Sequence, residues 1–144
     1  MNRETIERLR SHIVNGFQLS VTEQKLLFKV KDGGELLMLF IEHFSLCDEC
    51  EVKLFKLPNA PQIVLFYAQR YQMGNKSELL IFTLPNAEDI IKDYIEQHGY
   101  LGDDAEMKLF DLPHAKCIVR RYLRRNSNWI SNQKFLQRAK EECY

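Results

Sequence analysis

In the stretch "NAEDIIKDYIEQHG", Ile90, Ile91, Tyr94 and Ile95 fall at i, i+1, i+4 and i+5. That spacing puts all four on one face of a helix and leaves Glu, Asp, Lys and Gln on the other. The pattern predicts an amphipathic helix over this stretch. A shorter apolar-periodic run precedes it, ending at Leu84-Pro85. Proline biases the residue before it away from the helical region, so the first helix must stop there and a second begin. The pair reads as a helical hairpin.

The hairpin recurs. "EVKLFKLPNAPQIVLFYAQRY" starts at Glu51, "ELLIFTLPNAEDIIKDYIEQH" at Glu78 and "EMKLFDLPHAKCIVRRYLRRN" at Glu106. Phe55 and Phe82 stand 27 residues apart, and Phe82 and Phe110 stand 28 apart. Tyr67, Tyr94 and Tyr122 keep the same steps. A further step back reaches Phe28 and Phe40 in a diverged copy, "EQKLLFKVKDGGELLMLFIEHF", where Lys31 replaces the proline and Gly33 the alanine. "TIERLRSHIVNGF" reads as the second half of a unit and "NQKFLQRAK" as the first half of another. The units run approximately over 3–18, 20–45, 47–72, 75–99, 103–126 and 131–142. One hairpin cannot bury its own apolar stripe, but stacked neighbours can. The expectation is a single all-α domain spanning 1–144. It would be an α-solenoid of about ten helices: half a repeat, four repeats, then half a repeat.

The local chemistry agrees. Ser20 and Glu23 have capping-box spacing. Asp32, Asn59 and Asn86 occupy the N-cap position of the second helices, with Glu35, Gln62 and Asp89 three residues on. Gly74, Gly99 and Gly102 mark turns. Phe28, Phe55, Phe82, Phe110 and the three tyrosines are expected to form the core.

The pattern LFxLPNAxxIxxxYI, carried by the segments quoted above, resembles degenerate two-helix repeats found in uncharacterised bacterial proteins. It is similar in logic to HEAT and tetratricopeptide repeats, although its period is shorter and the tetratricopeptide Trp–Leu–Gly–Tyr positions are absent. The resemblance covers residues 3 to about 140. It implies a scaffold and no chemistry.

Composition narrows the function. Twenty basic residues balance twenty acidic ones, so net charge points to neither nucleic acid nor a membrane. No apolar run approaches the roughly 18 residues that span a bilayer. The first residues are charged and amphipathic rather than a secretory leader, which suggests a cytoplasmic protein with reduced cysteines. Cys47 and Cys50 have the spacing of half a zinc site. The register offers a plainer account: Cys50 aligns with Ser77 and Ala105 in a small-residue slot, and Cys47 with Ser20, Gly74 and Gly102 in a turn slot. His114 replaces a capping asparagine. No phosphate loop or nucleophile motif is present. No enzyme, metal or cofactor is expected.

Positions that differ between units are free to carry recognition. One column of the second helices reads Met38-Leu39, Leu65-Phe66, Lys92-Asp93 and Arg120-Arg121. One turn later it reads Glu42-His43, Gln69-Arg70, Glu96-Gln97 and Arg124-Arg125. Charge is polarised along the chain: nine acids against three bases over 75–112, then two against eight over 113–144. Two surfaces follow. Met38, Leu39, Leu65 and Phe66, rimmed by His43 and Arg70, form a candidate site for another protein or for a homodimer. Arg120, Arg121, Arg124 and Arg125 form a basic stripe. The leading expectation is a protein-interaction scaffold. Nucleic-acid binding through the basic stripe ranks second.

Overall fold

The computed structural model describes residues 3–29, 33–126 and 128–144, and the regular structure among them is helical throughout. The fold is all-α. The chain divides into two compact units, Met1–Leu54 and Phe55–Tyr144. The first holds α1 (Arg3–Val14), α2 (Val21–Leu27), α3 (Gly33–His43) and α4 (Asp48–Lys53). The second holds α5 (Ala60–Ala68), α6 (Asn75–Ile81), α7 (Ala87–His98), α8 (Asp103–Lys108), α9 (Ala115–Asn126) and α10 (Gln133–Cys143). A 3-10 turn follows α4 at Leu54–Lys56 and α8 at Leu109–Asp111. No helix among the described residues is long and apolar enough to cross a membrane.

As far as α9, short helices of six or seven residues alternate with longer ones, as the leucine–proline punctuation predicts; α10, which follows the long α9, is itself eleven residues. Each short helix starts from the same backbone. Ser20 (φ −67°, ψ 166°), Cys47 (−66°, 160°), Gly74 (−71°, 164°) and Gly102 (−67°, 162°) all hold the extended N-cap conformation. Ser20 and Glu23 make the full capping box, with Ser20 Oγ accepting from the Glu23 amide at 3.2 Å and the Ser20 amide donating to Glu23 Oε1 at 3.0 Å. The end of α7 is set by Gly99 at φ 94°, a backbone region that side chains with a Cβ avoid.

Within the first unit α1 packs on α3, and α2 on α3 and α4. Within the second, α5 packs on α7, α6 on α7 and α8, α8 on α10, and α9 on α10. The predicted faces of α7 and α9 are the buried ones: Ile90, Ile91, Tyr94 and Ile95 on one, Ile118, Val119 and Tyr122 on the other. Tyr67, Tyr94 and Tyr122 are fully buried.

Two expectations are corrected. Phe28, Phe55, Phe82 and Phe110 are half-buried, and the residue before each, Leu27, Leu54, Ile81 and Leu109, is the fully buried one. Phe28 and Phe82 sit at the C-caps of α2 and α6, where the chain turns away from the core. Cations cover some of these rings: Lys53 Nζ lies 5.9 Å from the Phe28 centroid and the Arg138 guanidinium 4.4 Å from that of Phe110. The second correction concerns the asparagine caps. Asn59 (φ −102°, ψ 28°) and Asn86 (φ −104°, ψ 30°) make no side-chain capping bond. A capping side chain needs extended backbone to reach the amides ahead of it, and both residues lie instead in the turn that leads straight into the helix. The amide nitrogen of Asn86 donates across to Pro61 O at 3.0 Å. The proposed cap at Asp32 and the substitution at Lys31 lie outside the described residues.

Candidate functional site

Three kinds of feature compete for a functional role: buried ionisable groups, clefts, and the surface columns that vary between hairpins.

The buried ionisable groups form one motif. Tyr94 donates its hydroxyl proton to Glu78 Oε2 at 2.6 Å and accepts from the Met73 amide at 2.9 Å. The other oxygen of Glu78 accepts from the Gly102 amide, which opens α8, at 2.8 Å. Twenty-eight residues on, Tyr122 donates to Glu106 Oε2 at 2.5 Å and accepts from the Leu101 amide at 3.0 Å. There the second carboxylate oxygen accepts from the Asn132 side chain at 3.2 Å. Burial pushes the Glu106 carboxyl above its ordinary range, opposed in part by the bonds from Tyr122 and Asn132. Burial, then the bond to Glu106, also raises the Tyr122 phenol. Both shifts favour the protonated, neutral form of the group concerned.

A cleft of about 540 Å³ adjoins the second of these pairs, lined by Glu106, Tyr122, Asn126 and Asp103, with Tyr100 and Trp129 on its exposed side. Trp129 is 82% exposed. In isolation the cleft resembles an acid–base site. Its carboxylate and phenol are nevertheless the same pair found between Glu78 and Tyr94, which identifies them as part of the hairpin's own construction.

Additional bonds join successive long helices and their flanks in the second unit. His98 Nε2 lies 2.8 Å from Ala68 O, Asn126 donates to Gly99 O at 2.6 Å, and Gln69 donates to Asp93 at 3.0 Å. The His114 amide donates to Glu88 Oε1 at 2.9 Å, and the imidazole Nδ1 lies 3.0 Å from both carboxylate oxygens. His114, a candidate cap by position, is instead a surface tie to the preceding hairpin. The side-chain bond from His114 holds the Glu88 carboxyl below its usual range.

The basic stripe is divided by the fold. Arg121, Arg124 and Arg125 border a cleft of about 530 Å³ between α7 and α9, together with Lys92 from α7. Ile95 and Ile118, almost fully buried, form its floor, and Glu96 and Cys117 complete the lining. Arg121 donates to Glu96 Oε1 at 2.8 Å. Lys92, Arg124 and Arg125 have no hydrogen bond or ion pair among the described residues. Arg120 belongs elsewhere: its Nε donates to Cys143 O, and its guanidinium lies 5.5 Å from the Tyr144 ring.

The apolar candidates are half-buried. Met38 and Leu39 lie on α3 in the first unit with His43 exposed beyond them, and Leu65 and Phe66 lie on α5 in the second. The Arg70 guanidinium covers the Phe66 ring at 3.5 Å and donates to Phe66 O at 3.2 Å. Among the described residues, the most exposed large apolar side chains of the first unit are others: Val14, Phe17 and Val21, around the α1–α2 turn. Sequence reasoning passed over them because Phe17 follows Gly16 in a turn, outside any helical period.

The four cysteines are free: Cys50 and Cys143 buried, Cys47 half-buried and Cys117 exposed. Burial pushes the Cys50 thiol up to about 12. Cys50, Ser77 and Ala105 are all buried in the small slot that the register assigns them. No group of three or more metal-ligating side chains occurs among the described residues. Comparison of the chain with family models, with curated proteins and with solved structures gives no match.

Proposed function

We propose that the chain is a non-catalytic protein-interaction scaffold, built as an α-solenoid of short helical hairpins. The observation that carries this reading is the recurrence of the buried Tyr–Glu–amide motif at two successive hairpins, with the carboxylate reaching to the hairpin that follows. A catalytic pair is needed once; a pair that returns with the helical repeat serves assembly. Glu51 stands sixteen residues before Tyr67, the same sequence spacing as Glu78 to Tyr94 and Glu106 to Tyr122. Stacked hairpins leave their variable columns to solvent, and this is where repeat scaffolds carry recognition.

The test is photo-crosslinking from single sites on several faces, positions 38, 66, 92 and 125 among them, in an extract of the native host. The reading expects one protein to be captured reproducibly from a subset of positions. Capture of nucleic acid from those positions, or capture of no protein from any of them, counts against it. Met38 and Leu39 on the first unit, and Leu65 and Phe66 on the second, serve this reading as further candidate contacts, each on its own unit, for a protein or for another copy of the chain. Leu39→Asp should abolish capture from position 38 and Leu65→Asp capture from position 66, each while the helices remain folded.

Nucleic-acid binding is the second reading, and the grouping of Arg121, Arg124 and Arg125 favours it. It requires affinity that falls steeply with salt, and absence of retention on heparin at low salt contradicts it.

A further inference from the structure

We propose that the cleft between α7 and α9 is a docking groove for an acidic segment of a partner protein that carries one or two apolar anchors. The inference rests on the protein-interaction reading and assigns it a place and a chemistry.

Charge selects the sign of the ligand. Four cationic side chains, Lys92, Arg121, Arg124 and Arg125, surround the cleft, against the single carboxylate of Glu96. Glu96 engages Arg121 alone. The other three cations meet no carboxylate within ion-pair distance among the described residues, although Lys92 lies close enough to Glu88 to feel its charge. Their arrangement also matters: Lys92 comes from one helix and the arginines from the other, so a segment lying between α7 and α9 is contacted from both sides. Guanidinium groups bind carboxylates in a planar two-point fashion.

The floor selects the rest. Ile95 and Ile118, 5% and 4% exposed, leave only a narrow apolar edge at the base, which one apolar side chain of a ligand can cover and which offers nothing to a phosphodiester chain. Among the described residues no aromatic ring lines the cleft, whereas single-stranded nucleic acid is usually held by bases stacking on aromatic side chains. Glu96 at the edge repels a continuous phosphate backbone, while a peptide can place a neutral residue opposite it. An amphipathic acidic segment with its apolar face on the isoleucines and its carboxylates on the arginines fits both features.

The probe is a fluorescein-labelled peptide in which glutamates flank leucines spaced i, i+3 and i+7. It should bind saturably and slow maleimide labelling of Cys117, the exposed thiol in the lining. Arg124→Glu with Arg125→Glu should weaken binding by at least about tenfold with the helical circular-dichroism signal unchanged. Lys92→Glu, on the opposite wall, should weaken it in the same direction and guards against misfolding of the first variant. Replacing the probe's leucines by serine should also cost about tenfold. The proposal is overturned if the serine peptide binds as well, if the charge reversals leave affinity unchanged, or if Cys117 is not protected. It is also overturned if a single-stranded oligonucleotide protects Cys117 better than the peptide, or if Cys117 is shielded by self-association without any probe. Crosslinking of a host protein solely from faces other than this cleft would overturn the groove and leave the scaffold reading standing.

Discussion

Tyr94 and Glu78 share a hydrogen bond of 2.6 Å in the interior of the second unit, sixteen residues apart along the chain. The phenol also accepts from the Met73 amide, and the carboxylate accepts from the Gly102 amide. One pair thus provides partners for two loop amides, one before α6 and one at the start of α8. Leaving such a buried group without a partner costs about 1–3 kcal/mol. The exposed pair Arg121–Glu96 joins hairpins too, but ion pairs in that setting are worth about 0–1 kcal/mol. Among the polar contacts, the buried pairs therefore outweigh the surface ion pair. The first unit solves the same problem differently. Phe40 stands where the tyrosine would, and Gln24 where the glutamate would. Gln24 donates to Leu19 O at 3.0 Å and accepts from the Cys47 amide at 2.8 Å. Loss of the hydroxyl is matched by conversion of the acid to an amide.

Asn86 separates a capping role from a bridging one. Its amide nitrogen donates to Pro61 O, and its buried oxygen has no hydrogen-bond partner among the described residues. Asn86→Ala should destabilise by about 1 kcal/mol. Asn86→Asp should be at least as harmful, because a carboxylate cannot donate to that carbonyl and would be placed in a partly buried site. Aspartate is an excellent N-cap, so equal stability of Asn86→Asp and the parent in urea denaturation would mean that the side chain caps after all.

The tie between Glu88 and His114 predicts a response to acid. The folded-state pKa of Glu88 is lowered from 4.5, first by the His114 side-chain bond. A depressed carboxyl contributes stability that is fully present above its unfolded pKa and is lost as pH falls through the folded value. Glu88→Gln should therefore lower the urea midpoint near neutrality and lose less than the parent as pH drops below about 4.5. Glu106 works in the opposite sense. Its pKa is raised by burial, so its contribution is present at low pH and declines as pH rises through the raised value.

Thiol reactivity should follow burial. Cys117 is exposed, Cys50 and Cys143 are buried, and burial raises the pKa of both buried thiols. Iodoacetamide at neutral pH followed by mass mapping should modify Cys117 first and leave Cys50 and Cys143 until the chain is unfolded. Early modification of Cys50 would contradict its placement in the packed small-residue slot.

The helices and their order were legible because leucine–proline punctuation and a 3.6-residue period act locally. The slot shared by Cys50, Ser77 and Ala105 was legible from register alone. The glutamates of the buried pairs were in plain view, since Glu78 and Glu106 open two of the three clearest copies. Their role was missed because a surface helix also carries acids, and only tertiary contact separates a buried N-terminal carboxylate from a solvated one. The phenylalanines misled for a related reason: a strict aromatic period marks a fixed position but does not say which side of it faces inward. Arg120 and Arg121 are neighbours in sequence and about 100° apart on a helix, so one turned to the α7–α9 cleft and the other to the C-terminal residues.

The most direct test of the account is a double-mutant cycle on Glu78 and Tyr94, read by equilibrium denaturation. Tyr94→Phe alone removes a partner from Glu78 and from the Met73 amide. Glu78→Gln alone gives the Tyr94 hydroxyl an amide in place of an acceptor carboxylate. Each should cost about 1–3 kcal/mol. The two together recreate the pairing of Gln24 with Phe40, in which the glutamine can donate to the loop carbonyl and accept from the next amide. The account predicts a double variant clearly more stable than the sum of the single losses, with the coupling on the order of 1 kcal/mol or more. Strict additivity would show that the two side chains do not act as one unit, and would contradict the central claim that Tyr94 holds the carboxylate that reaches on to the Gly102 amide of the next hairpin.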